Sequence, residues 1–263
     1  MKTETRSPIK DRPLRNPGQS LQSQRVDLLF DKLLAPFLIV LMAVVWAVLE
    51  WIRYLHPTKP QPFIFTAIAI VALIHMFFQY RKYWPQIQTL ILAEDGEKAV
   101  GQFLESLRGG GYKVFHDVIG KDFNVDHVVI GSAGIFTIET KTRSKPMRGR
   151  AIINFDGEQI LVGGFAPDRD PVIQAKAQAS WIKQLLSGST GKAFPVRPVV
   201  VFPGWYIETV AGSSREVWVL EPKALPAFLY NAPNVLAPED VSLAAYHLSR
   251  FVREQEKLLE AAK

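Results

Sequence analysis

Residues 124–141 read NVDHVVIGSAGIFTIETK. The stretch splits into two runs, VDHVVIG and GIFTIETK, rich in β-branched and aromatic residues and joined by Gly-Ser-Ala-Gly, the pattern of a β-hairpin. Pairing Gly131 with Gly134 across a two-residue turn, or Ile130 with Ile135 across a four-residue one, gives the same register. That register sets Asp126 directly opposite Glu139. Side chains alternate along a strand, so Glu139 and Lys141 share one face while Ile138 and Thr140 take the other. Two facing carboxylates repel unless a cation, a shared proton or the lysine compensates. The strands are apolar on both faces and read as buried, which argues against the plainer alternative, a salt-bridged surface hairpin. His127 points away from Asp126 and is expected to be a packed residue.

Upstream, EDGEKAVGQFLESL from Glu94 has helical periodicity, with Val100, Phe103, Leu104 and Leu107 as its apolar stripe. Glu97 lies three residues before Val100 and so on the inward face, where a carboxylate is out of place unless it is a solvated first-turn acid. Glycines 109–111 end the helix, and residues 112–118 (YKVFHDV) read as a strand, with His116 and Asp117 near its end able to approach Asp126 and Glu139 but expected at a turn. Downstream, TRSKPMRGR is a basic loop carrying Arg143, Lys145, Arg148 and Arg150. RAIINF and EQILVGG follow, joined by Asp156-Gly157, a type I′ hairpin signal. Pro171 opens a helix on which Gln174, Gln178, Trp181, Ile182 and Leu185 share a face. Residues 196–202 (VRPVVVF) read as a buried strand, residues 216–220 as another, residues 225–230 as a short helix, and the stretch from Pro238 to Ala261 as an amphipathic helix whose apolar side chains include Leu243, Tyr246, Phe251 and Leu258.

Glu97, Asp126 and Glu139 thus form a set of hard oxygen ligands suited to Mg²⁺ or Mn²⁺. Such an ion removes the repulsion between Asp126 and Glu139, acidifies a bound water and stabilises charge on a phosphodiester under attack. Lys141 would sit beside that water, and the basic loop would contact phosphates without reading sequence, or else lie against anionic lipid. The constellation resembles the PD-(D/E)XK nuclease superfamily, and more narrowly the nuclease-related domain. The resemblance runs over about residues 92–204 and is carried by Asn124-Val125-Asp126-His127, the glycine-containing turn and Ile138-Glu139-Thr140-Lys141. It matches Glu97 to the acidic residue of the first core helix and Gln174 to the glutamine after the catalytic core. It implies a restriction-endonuclease-like mixed α/β sheet flanked by helices, Mg²⁺-dependent phosphodiester cleavage with Glu97, Asp126, Glu139, Lys141 and Gln174 as the working residues, and DNA as substrate. Gln178 joins Arg143, Lys145, Arg148 and Arg150 as a candidate nucleic-acid contact outside the family pattern. No Gly-rich phosphate loop follows a strand, which leaves kinase and nucleotide-hydrolase chemistry without support.

The chain has 263 residues, no cysteine and a formal net charge of +6. The first allows one or two domains, the second excludes disulfides and thiolate zinc sites, and the third suits nucleic acid or an anionic membrane surface. Residues 33–49 are uncharged and apolar, and with Glu50, Trp51 and Ile52 reach about the 20 residues that span a bilayer; residues 60–80 are likewise uncharged. The expected organisation is a disordered basic tail (1–31), two transmembrane helices within 32–82 (about 33–52 and 61–80), a nuclease-related domain (90–205) and a strand-and-helix extension packed on it (206–263). Lys2, Arg6, Lys10, Arg12, Arg15, Arg25 and Lys32 precede the first span, and Arg81 and Lys82 follow the second, whereas the connection holds only Arg53 and Lys59. The positive-inside rule then puts both termini and the soluble domain in the cytoplasm, in a bacterium at the inner membrane. The partners expected are DNA and the lipid bilayer. The expected function is a membrane-anchored metal-dependent nuclease. Its alternatives are a non-catalytic nucleic-acid or protein-binding module of the same fold and a membrane enzyme acting on a small anionic substrate.

Overall fold

The computed structural model describes residues 14–56, 62–121, 123–145, 151–167, 169–209 and 216–261. They fall into two units, one made of residues 20–92 and the other of the stretch up to Gln19 together with residues 93–263.

The first unit is helical. Helices α1 (Gln19–Leu29) and α2 (Ala35–Leu55) are joined by a π-helical turn, Phe30–Leu34, and α3 starts at Pro62. The stretch expected to be unstructured up to residue 31 is therefore helical from Gln19. It lacks an apolar stripe, which is why periodicity did not reveal it. α2 and the first part of α3 are long and apolar enough to cross a membrane. Their side chains, among them Ile39, Met42, Val71 and Phe78, are exposed rather than buried in a core. Trp46 packs on Phe65 and Trp51 on Phe63, with ring centroids 5.6 and 6.5 Å apart, tying the two helices together.

α3 runs unbroken from Pro62 to Glu105, although a separate helix from Glu94 was expected, and Pro85 lies inside it. The proline removes one helical N–H, and the Thr89 hydroxyl donates to the Pro85 carbonyl at 3.0 Å, one turn on. The helix closes through a 3₁₀ turn, Ser106–Gly110, and Gly111 in the left-handed region.

The second unit is built on a mixed five-stranded sheet in the order β1-β2-β3-β6-β8. β1 (Lys113–Ile119), β2 (Asn124–Gly131) and β3 (Gly134–Thr140) run antiparallel; β6 (Val196–Val201) and β8 (Trp218–Leu220) continue parallel to β3. β2 pairs with β3 in the expected register, from Gly131↔Gly134 to His127↔Ile138. The turn is the two-residue one, with Gly134 at φ 125°, a conformation open to glycine. A smaller sheet, β5-β4-β7, uses β4 (Ile152–Phe155), β5 (Ile160–Val162) and β7 (Tyr206–Thr209).

Both sheet faces are covered. The end of α3 and α5 (Leu225–Asn231) bury Val100, Leu104, Leu225 and Leu229 against Val129, Phe136 and Ile138. On the other face α4 (Pro171–Thr190) and α6 (Pro238–Ala261) bury Ile182, Leu186, Val241, Ala244, Leu248 and Val252 against Val128, Ile130 and Ile135. Asp170 caps α4, accepting from the Val172 and Ile173 N–H groups.

Three expectations need correction here. Asp156-Gly157 sits in a four-residue loop rather than a type I′ pair, because Phe155 pairs with Ile160 and the Asp156 carboxylate folds back onto the Glu158 and Gln159 N–H groups. Residues 206–263 are not an appended extension, since β7 and β8 complete the two sheets. Leu243, Tyr246 and Leu258 of α6 face outward, and the smaller Val241, Ala244 and Val252 with Leu248 take the buried face.

Candidate active site

The site grows from two gaps in the strand ladders. β1 and β2 pair with one constant register, yet the rung between His116↔His127 and Val118↔Val125, where Asp117 would meet Asp126, is missing. Asp117 has left the extended conformation, at φ 50°. The β2–β3 ladder stops at His127↔Ile138, one step before Asp126 and Glu139. Asp117, Asp126 and Glu139 consequently lie in a row across three neighbouring strands, all buried.

Each carboxylate in that row is held differently. Asp126 Oδ2 accepts the Thr140 N–H at 2.7 Å. Glu139 Oε1 accepts from Lys141 Nζ at 2.5 Å and Oε2 from Gln178 Nε2 at 2.5 Å. Lys141 Nζ also donates to Gln174 Oε1 at 2.9 Å, and Gln178 Nε2 to the Asn124 carbonyl at 2.9 Å. The two glutamines lie one helical turn apart on α4 and so fasten the helix to both ends of the Glu-x-Lys segment. The Lys141 N–H bonds to the Val201 carbonyl at 2.9 Å, so its backbone continues β3 alongside β6. Its side chain keeps a quarter of its surface open to solvent.

Glu97 comes from α3 and is 6% exposed. The close approach needs Gly96, where a Cβ would fall 1.6 Å from Thr142 Oγ1. Burial, then repulsion from Asp117 and Glu139, pushes the Glu97 carboxyl up to about 8, against the weaker pull of Lys141 and the Gly18 N–H. The Asp126 carboxyl is likewise raised well above the usual range, first by burial and then by Glu139 and Glu97. The inward placement inferred for Glu97 is the one observed, and the solvated first-turn alternative is not.

The residues singled out by sequence therefore sort cleanly. Glu139, Lys141, Gln174 and Gln178 form one bonded array, Asp126 joins it through the Thr140 N–H, and Glu97 lies within its electrostatic reach. Gln178 is a buried strut of Glu139, not a surface contact for nucleic acid. Arg143 and Lys145 are exposed just beyond Lys141, the Arg143 carbonyl accepting from Trp205 Nε1 at 3.3 Å. Arg148 and Arg150 lie outside the described residues. His127 is buried away from the row and bonds the His116 ring at 2.9 Å; burial lowers both imidazoles, against the pull of Glu105 on His116.

Two members escaped the sequence. Asp117, expected at a turn, is fully buried, and Arg15 grips it with Nε at 2.9 Å and Nη2 at 2.8 Å. An aspartate between a histidine and a valine inside a strand was the available signal; its partner, 102 residues away, gave none.

A divalent cation suits this donor set by its chemistry: three buried carboxylates face one lysine, and Glu97 Oε2 is buried with no hydrogen-bond partner. Among the described residues no three Asp, Glu or His side chains close into a ready-made cage. Mg²⁺ asks for less, since it keeps several waters and takes few protein ligands.

Comparison with known proteins agrees with the geometry. Residues 92–203 match the sequence profile of the nuclease-related domain, which contains every member of the bonded array. No curated protein matches the chain. Among solved structures, that of Pyrococcus furiosus SfsA in complex with Ca²⁺ is similar at 14% identity and a TM-score of 0.25, over 47% of this chain and 54% of that one, about half its length. On the profile match and the array it encloses, residues 92–203 are a nuclease-related domain.

Proposed function

We propose that the protein is a membrane-anchored, cytoplasm-facing nuclease that hydrolyses phosphodiester bonds, with DNA as substrate and Mg²⁺ or Mn²⁺ as cofactor, on a restriction-endonuclease-like core. The observation that carries this reading is the buried array of Asp126, Glu139 and Lys141, braced by Gln174 and Gln178, inside a nuclease-related domain. Asp126 and Glu139, with Glu97, would hold the ion. When bound, it supplies acidification of a water and an electrostatic counterpart for the phosphate. Lys141 orients the attacking water and meets the charge that develops on the phosphoryl oxygens, Gln174 fixes the ammonium group, and Gln178 fixes Glu139. Arg143 and Lys145 contribute charge along the substrate backbone.

The membrane assignment rests on α2 and α3 and on a topological argument. Arg15, which precedes both helices, is ion-paired with Asp117 and Glu256 of the domain that follows them. Two crossings return the chain to the side on which it started, as this contact requires. The basic residues before the first span and after the second support a cytoplasmic location for that side by the positive-inside rule.

The test uses the full chain in lipid nanodiscs with linear, nicked and single-stranded DNA and Mg²⁺ or Mn²⁺. Wild type is expected to cleave, and Asp126→Asn and Lys141→Ala each to lower kcat by at least about 100-fold, the scale of losing one transition-state contact. Absence of cleavage by wild type, or full activity in both variants, refutes the reading. One observation favours a second reading, a non-catalytic DNA-binding module: the described side chains form no cation cage. That module would bind DNA in a salt-dependent manner, and binding would survive Glu139→Gln.

A further inference from the structure

The domain's acidic site is walled by a piece of chain that precedes both apolar helices in the sequence. Residues 14–18 pack on the domain and belong to the same compact unit. Leu14 leans on the apolar cluster under α4 and α6. Arg15, itself buried, bridges Asp117 and, through Nη1, both oxygens of Glu256 on α6 at 2.8 Å. Pro17 occupies the only space a side chain at position 101 would have, because a Cβ on Gly101 would lie 2.5 Å from Pro17 Cγ. Gly18 turns at φ 70° against Glu94, and its N–H bonds to the Glu97 carboxylate. Gln19 closes the contact by donating to Glu256 at 3.2 Å.

These contacts are not a generic surface attachment. Asp117 occupies the same row as Asp126 and Glu139 and pushes on Glu97, so the charge that balances Asp117 bears directly on the Glu97 carboxylate. Arg15 supplies that charge with a bent double contact that lysine cannot reproduce. Asn124 Nδ2 supports the other Asp117 oxygen at 3.0 Å and passes the constraint to the start of β2, two residues before Asp126.

We infer that residues 14–18 are a strap that completes the acidic site, with Arg15 a positioning residue acting through Asp117. The domain after the second apolar helix is then not self-sufficient: its site is finished by the segment that leads directly into α1. The catalytic consequence rests on the nuclease reading, whereas docking of the strap does not.

The experiment separates the two. Full-length protein in nanodiscs is followed by hydrogen exchange of a peptide covering residues 14–19, and in parallel by DNA cleavage. Arg15→Ala is expected to speed exchange of that peptide at least tenfold while peptides from β2 and β3 stay protected. It should lower kcat at least tenfold with KM for DNA unchanged, and Arg15→Lys should fall between the two. If Arg15 acts by neutralising Asp117, Arg15→Ala combined with Asp117→Asn recovers most of the lost kcat. Unchanged exchange in Arg15→Ala overturns the strap, and a double variant no better than Arg15→Ala overturns its action through Asp117. Should wild type fail to cleave, the nuclease reading falls and the exchange of residues 14–19 still decides whether the strap exists. Should Arg15→Ala not fold, Arg15→Lys decides both points with the same readouts.

Discussion

Replacing Glu97 with glutamine tests the electrostatics of the site without touching substrate. The Glu97 carboxyl is raised from 4.5 to about 8 by burial and by its acidic neighbours. Below pH 4.5 it is protonated folded or unfolded and stability does not depend on it. Between 4.5 and about 8 the unfolded chain has released the proton and the folded one holds it, so the folded state binds more protons and stability falls as pH rises. Above about 8 the penalty is complete. Its size follows from the gap of about 3.5 pH units at about 1.4 kcal/mol each, or about 5 kcal/mol. That is a large share of the 5–15 kcal/mol by which a domain is typically stable. Glu97→Gln, close in shape to the neutral acid, should match wild type near pH 4.5 and exceed it by up to about 5 kcal/mol at pH 9. Asp126, raised for the same reasons and in part by Glu97 itself, leaves both proteins with a residual fall of the same sign, and the difference between them reports Glu97 together with its coupling to Asp126. Pulse proteolysis of the full chain in nanodiscs with EDTA, across urea series at pH 5, 7 and 9, measures this. Parallel stability curves for the two proteins would show that Glu97 is not desolvated and would remove it from the site.

Two further outcomes follow from packing. Gln178→Ala strips Glu139 Oε2 and the Asn124 carbonyl of a shared donor, both beneath α4, and should cost about 2–4 kcal/mol in the same assay. On α6, Leu248→Ala should cost about 2–5 kcal/mol, since Leu248 is fully buried, while Tyr246→Ala, at 61% exposure, should stay within about 0.5 kcal/mol.

The central hairpin was legible because strand parity leaves no freedom. Once Gly131 and Gly134 flank the turn, the face of every residue from Asp126 to Lys141 is fixed. Gln174 and Gln178 were legible for the corresponding reason on a helix. Elsewhere periodicity fixed the element but not its phase. α6 carries apolar side chains on two faces, and the sheet accepts Val241, Ala244 and Val252 because small residues let the helix lie close, leaving Leu243, Tyr246 and Leu258 to solvent. β7 went unread because only four residues pair, mostly exposed, with a partner about fifty residues earlier in the chain. Arg15 was hidden more deeply. Local pattern cannot join an arginine in a basic tail to an aspartate beyond two apolar helices, and charge counting had assigned it to membrane orientation.

That arginine also completes the charge balance on which metal binding turns. Four buried carboxylates, Glu97, Asp117, Asp126 and Glu139, are matched inside the site by Arg15 and Lys141, and Arg15 is shared with Glu256, so negative charge is in excess by at least two. Burial and mutual repulsion accordingly raise the Glu97 and Asp126 carboxyls, which favours proton uptake there in the absence of a cation. A divalent cation carries the charge of two protons and should displace them on binding. Titrating Mn²⁺ into the protein at pH 7 by calorimetry, in buffers of different ionisation enthalpy, should therefore show proton release, about one proton per ion coming from Glu97. Release should decline above pH 8 as Glu97 ionises unaided. In Glu97→Gln it should fall by about one proton at pH 7. Mn²⁺ binding that releases no proton at pH 7 would mean that the ion is held away from Glu97 and Asp126, and the assignment of these carboxylates as its ligands would be wrong.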